Sequence, residues 1–237
     1  MRSTAAAWSC HAGERGRSCI SEIPGIQEVT TQDLLEKIYR KVKELNPETA
    51  VCTYSSRYVD LVRSESNSAV DRPLPFWAME SESNVSFVQE TFNNRFSSNC
   101  VINAVDIFYR FMGVSPYLNE LRLYGDMAAG GNLDWCIIGG FETILDKMNF
   151  EGTKRVFRFH KKYEDIFSRL QPCGEFVLVI LRGREDARKE YLGIYKMLKE
   201  AHLPFEVMDG RETELLAEKA DAYRVIILPG IKELPIK

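Results

Sequence analysis

Between Glu175 and Gly230 the chain alternates regularly between two periodicities, and few folds accommodate that pattern. "EFVLVIL" and "YRVIILPG" are continuous aliphatic runs suited to strands buried on both faces, and "FEVMD" is a shorter one. Between them, "EDARKEYLGIYKMLKEAH" and "ETELLAEKA" carry helical spacing. The order β-α-β-α-β predicts the opening of a doubly wound parallel sheet, here reduced to three strands where such sheets usually have more. The sequence therefore predicts a truncated domain over residues 172–237.

The preceding stretch is also α/β. "TTQDLLEKIYRKVKELNP" opens on a Thr cap, spaces Leu34, Leu35, Ile38, Val42 and Leu45 along one helical face, and stops at Asn46-Pro47. "TAVCTYSS", "YVDLVRSES", "LPFWAME" and "LDWCIIGG" read as four strands, each beginning apolar and ending on polar or small residues. "SPYLNELRLYGDMAAGG" reads as a helix closed by Gly130-Gly131, and a further helix is expected over 151–170. Such segments predict a parallel sheet that holds its ligands at the strand C-termini, the arrangement of a (β/α)8 barrel. Residues 29–171 are expected to form the C-terminal half of one. Residues 1–28 mix Gly, Ser and Arg without periodicity and read as a disordered tail or unrelated leader.

Composition narrows the function. A net charge of −3, with both signs interspersed, argues against nucleic acid and against a polybasic membrane patch. The longest apolar runs fall well short of the roughly 20 residues that a membrane-spanning helix needs, and the chain reads as cytoplasmic. Six scattered cysteines without a C-x-x-C pair, beside three histidines, suggest neither metal nor disulfide framework. "AAGGN" lacks the Lys-Ser/Thr of a phosphate loop and "LVILRGRED" lacks G-x-G-x-x-G, so no cofactor is expected.

The candidate chemistry lies at the ends of the first group of strands. Glu80 follows the aromatic run of "PFWAME", where Trp77 offers a flat face to a sugar ring. Glycosidic chemistry uses carboxylates in pairs. Glu65, in "VRSESN", is the other strand-end carboxylate: either the second member of such a pair or a contact to a substrate hydroxyl, with Arg63 and Asn67 beside it. Asn99, Asn103, Asp106, Tyr109 and Arg110, in "SSNCVINAVDIFYRF", would be hydroxyl contacts on a long loop. Each has a plainer alternative, a solvated glutamate at a strand exit or a polar surface loop.

In this order, "NPETAVCTYSS", "YVDLVRSES", "PLPFWAME" and "LRLYGDMAAGGNLDW" resemble the second half of the catalytic barrel of family 42 glycoside hydrolases, the β-galactosidase-like enzymes and their uncharacterised relatives. The segment from Phe176 on resembles the flavodoxin-like, amidotransferase-like trimerisation domain that follows that barrel, and the resemblance spans about residues 31–235. It implies strands five to eight of the barrel, a retaining β-galactosidase-like activity on a carbohydrate substrate, Glu80 as nucleophile, and a homotrimer in the full-length form. The family's Asn-Glu pair, which holds the acid/base, has no counterpart ahead of the first helix. The resemblance thus implies a fragment inactive on its own, or a non-catalytic sugar-binding or oligomerisation module.

Overall fold

The computed structural model describes residues 18–70, 72, 74–92, 95–182 and 185–232, without the side chains of 18–30 and 185–186. The chain divides into two compact units, residues 1–51 and 52–237. The first is built on helix α1 (Ser18–Leu45), which takes in the expected helix and extends back through part of the stretch read as a tail. Cys10 and His11 lie outside the described residues.

The second unit holds two parallel sheets. The first comprises β1 (Cys52–Thr53), β2 (Leu61–Ser66), β3 (Phe96–Ile102) and β4 (Asn132–Cys136), paired in sequence order with every pair parallel. Helices α2 (Leu74–Thr91) and α3 (Pro116–Ala128) make the crossovers from β2 to β3 and from β3 to β4. After α4 (Phe150–Lys162) and the short α5 (Glu164–Phe167), the second sheet forms from β5 (Phe176–Ile180), β6 (Phe205–Asp209) and β7 (Val225–Ile227). Its order is β6-β5-β7, all parallel, with α6 (Glu185–Glu200) and α7 (Thr213–Lys219) as crossovers. The β-α-β-α-β alternation expected after Glu175 is therefore present.

Two assignments in the first sheet differ from the sequence reading. "LPFWAME" is not a strand: it is the beginning of α2. A short apolar run cannot separate strand from helix by pattern alone, and Pro75 stands in the first helical turn, where its missing N–H costs nothing. The missing strand is β3, whose Ser97-Ser98-Asn99 disguise a central strand as a polar loop.

Helix α2 explains why its own sequence looks confusing. One side meets β2, β3 and α3, and the other meets β6 and α6, so Ser81, Ser83, Val85, Ser86, Phe87, Val88, Glu90 and Thr91 are all buried. A helix covered on opposite sides has no single apolar stripe to betray it. At its C-terminal end, Glu90 accepts the backbone N–H of Val207, and Thr91 Oγ1 accepts that of Asp209 at 3.0 Å. These bonds fasten α2 to β6.

Each sheet carries an apolar cluster among the described residues. Val101, Leu123 and Val156 join β3, α3 and α4, with Leu133 and Trp135 alongside. Val177, Val179, Met208 and Leu216 fill the space around the second sheet.

Candidate functional site

Alternation along the strands gives the first sheet two unlike faces. Parallel register places Glu65, Cys100 and Asp134 at one level, and neighbours in register point to the same side. Arg63, Glu65, Ser98, Cys100, Ile102, Asp134 and Cys136 therefore share a face, and Ser64, Ser66, Asn99, Val101, Leu133 and Trp135 share the other. The second face is the one that α2 and α3 cover. A parallel sheet is ordinarily apolar on both sides, so arginine, glutamate and aspartate on one face need a reason.

These charges form one network. Arg63 Nε donates to Asp134 Oδ2 at 2.7 Å, reaching across β3, while its Nη1 donates to Glu65 Oε1 at 3.2 Å and to Tyr54 Oη at 2.8 Å. The Tyr54 hydroxyl in turn donates to Glu65 Oε1. Its bond to Glu65 raises the phenol pKa, which keeps the proton on Tyr54. Likewise Asp134 holds Arg63 above its ordinary value. Next to this network lie Cys136 and the buried Cys100, whose interaction with one another raises the Cys100 pKa and lowers that of Cys136.

At the C-terminal ends of β2, β3 and β4 lies a cavity of about 480 Å³ lined by Glu65, Asn67, Ala69, Arg72, Ile102, Ala104, Asp106, Ile107, Cys136 and Ile138. Two carboxylates thus face one space. Asp106 is fixed by the backbone N–H of Ile107 at 2.6 Å and more loosely by that of Val70 at 3.5 Å. Ligands of open parallel α/β sheets bind at this end of the strands.

Glu80 is near this cavity but does not line it. It projects from the second turn of α2, where Arg72 Nη1 donates to both its oxygens at 2.6 and 2.8 Å. The Asn67 N–H donates to it at 3.2 Å, and Arg188 is 3.5 Å away. Its side chain is 17% exposed against 36% for Glu65. Glu80 therefore orients Arg72, which does line the cavity. The strand-end position expected for Glu80 is corrected to a helical, ion-paired one.

The other sequence candidates divide cleanly. Arg63 belongs to the charged network, and Asn67 lines the cavity while its carbonyl accepts Arg122 Nη2 at 3.3 Å. Trp77 is on α2, and its indole N–H is spent on the Ala69 carbonyl at 3.0 Å. Asn99 is fully buried on the helix side, its amide bonded to Ser66, Ser81 and Asp126. Arg110 lies in the exposed loop after β3, over the Phe111 ring. Tyr54, Asp134, Arg72 and Cys136 escaped the sequence reading. The i, i+2 spacing of charged or reactive residues in "VRSES" and "LDWC" is the signal that points to this face.

The chain matches no family model, no curated protein and no solved structure in the comparisons made with each. Among the described residues no helix is long and apolar enough to cross a membrane.

Proposed function

We propose that the cavity at the C-terminal rim of the first sheet is a carbohydrate site of the retaining glycoside hydrolase type, with Glu65 as its reactive carboxylate. The observation that carries this reading is that Glu65 faces the cavity while held by two donors, Tyr54 and Arg63. A carboxylate so held is an anion aimed at a fixed point, as attack on an anomeric carbon requires. Glu65 would form the bond to that carbon as the bond to the glycosidic oxygen breaks and that oxygen takes a proton from solvent water; a water would then attack the same carbon, breaking its bond to Glu65 and giving its proton back to solvent. Asn67, Asp106 and Arg72 would bind hydroxyls.

Two topological facts support the partial-barrel reading from which this follows. The first sheet runs in sequence order, as successive β/α units of a barrel do. The second sheet, ordered β6-β5-β7, has the beginning of a flavodoxin-like winding, for which we propose an assembly role.

A second reading is a module that binds sugar without turning it over. Both cavity carboxylates are held as hydrogen-bond acceptors by protein donors, an arrangement that also serves to bind sugar hydroxyls. An activated 2-deoxy-2-fluoroglycosyl fluoride separates the two, because its leaving group needs no protonation. Incubation of the full chain with such reagents of several sugar configurations, followed by intact mass and peptide mapping, is expected to place one glycosyl group on Glu65. An adduct on Glu80 would contradict the assignment, and absence of any adduct would leave the binding module as the better account.

A further inference from the structure

A second cavity, of about 200 Å³, lies between α2 and the C-terminal end of β5, lined by Phe76, Glu80, Ser83, Asn84, Ile180, Leu181, Arg182, Arg188, Tyr191 and Leu192. It shares no lining residue with the carbohydrate cavity; Glu80, which lines the second, is linked to the first only through Arg72, which donates to both its oxygens.

Arg182 is what makes this cavity informative. Its guanidinium lies 3.7 Å from the centre of the Phe87 ring, and Nη2 donates to Asn84 Oδ1 at a long 3.3 Å. Among the described residues it makes no ion pair with a carboxylate. Burial is the main influence on it and pushes its pKa down, with Arg211 acting the same way and the nearby Asp209 and Glu80 offsetting only part of this. Arg182 is half-buried, and a guanidinium has five N–H donors of which one is seen to be used here. A second arginine, Arg188, also lines the cavity, 3.5 Å from Glu80 Oε1, as do the hydroxyls of Ser83 and Tyr191, 2.8 Å apart, and the apolar Phe76 and Leu192.

The topology independently points to the same place. From β5 the chain winds to β6 on one side and then returns to β7 on the other, so the winding reverses at β5. With right-handed crossovers, α6 and α7 then fall on opposite faces, and the crevice at such a switch point is where open α/β sheets take their ligands. Arg182 follows β5 by two residues.

We infer that this cavity is a binding site for a small oxyanion, a phosphate or carboxylate group, received by Arg182 and Arg188. The volume is below the roughly 300–1,000 Å³ of typical organic-ligand pockets, which restricts the occupant to a group of this size. Planar forked donors match either anion.

The test is calorimetric titration of the full chain with sodium phosphate and, separately, sodium malonate, at ionic strength held constant with sodium chloride. Saturable binding of at least one anion is expected, weakened at least tenfold in Arg182→Gln and within twofold of wild type in Arg63→Met; the arm that saturates identifies the anion class. Phenylglyoxal modification of the wild-type chain with peptide mapping covers the case in which Arg182→Gln does not fold, and the bound anion should protect Arg182. Failure of both anions to bind, equal binding by Arg182→Gln, or protection confined to other arginines would overturn the inference.

Discussion

Arg63 reaches across β3 to place its Nε 2.7 Å from Asp134 Oδ2, joining two strands that share no backbone hydrogen bond. The same guanidinium holds Glu65, so three charges on one face of a parallel sheet depend on one side chain.

Replacing Arg63 by Met leaves Glu65 and Asp134 facing one another without their shared cation. Charge-assisted hydrogen bonds contribute about 1.5–3 kcal/mol, and the partners are only partly exposed, so Arg63→Met is expected to lose about 1–3 kcal/mol. Urea unfolding followed by circular dichroism measures this. A loss no greater than a few tenths would mean that the network is a solvated surface feature.

Stability should depend on pH through two buried acids. Burial pushes Glu90 up to about 8, only partly offset by the Val207 N–H, and pushes Asp126 up to about 8 against hydrogen bonds from Ser81 and Asn99. Between the ordinary carboxyl range and pH 8 the folded chain holds protons that the unfolded chain has released. Their stabilising contribution is thus complete below about pH 4 and lost as pH rises to 8, at up to about 1.4 kcal/mol per pH unit for each group. Glu90→Gln should roughly halve the slope of unfolding free energy measured between pH 5 and 8.

The differing legibility of these elements has physical causes. Strands β5, β6 and β7 are aliphatic runs separated by amphipathic helices, and local pattern is enough to find them. Helix α2 was hidden because Phe76-Trp77-Ala78-Met79 is a short apolar run beside a proline, and because its later turns are covered on both sides. Strand β3 was hidden because its polar residues are satisfied only by tertiary partners, as when Asn99 meets Ser81 and Asp126. Within the site, Arg63 and Glu65 were visible as a charged pair at strand spacing. Asp134 was not, since its place beside Arg63 follows from the register of strands 71 residues apart in sequence.

His202 closes α6 in the left-handed region, with φ of 53°. The Leu203 N–H reaches the Leu198 carbonyl and the His202 N–H that of Lys199, both at 3.1 Å, which is the Schellman arrangement. Glycine adopts this conformation without the roughly 1–2 kcal/mol that a side chain costs, and gives some of that back as unfolded-chain entropy. His202→Gly is expected to stabilise the chain by about 0.5–1 kcal/mol in chemical unfolding.

Cys136 offers a chemical probe of the cavity. It lines the space, and the neighbouring Cys100 lowers its pKa, while Cys100 itself is fully buried. Iodoacetamide should therefore modify Cys136 faster than Cys100, and a bound sugar should slow it by several-fold. The exposed Cys52 and Cys173 should react at rates that sugar does not change, as mapped by peptide mass spectrometry.

Titration of the wild-type chain, Glu65→Gln and Glu80→Gln with a panel of mono- and disaccharides, followed by ligand-observed NMR, tests the role of Glu65 most directly. The account predicts saturable binding of at least one sugar by the wild type, at least tenfold weaker binding by Glu65→Gln, and a smaller loss for Glu80→Gln through its hold on Arg72. Binding abolished by Glu80→Gln but untouched in Glu65→Gln, or no saturable binding of any sugar by the wild type, would contradict it.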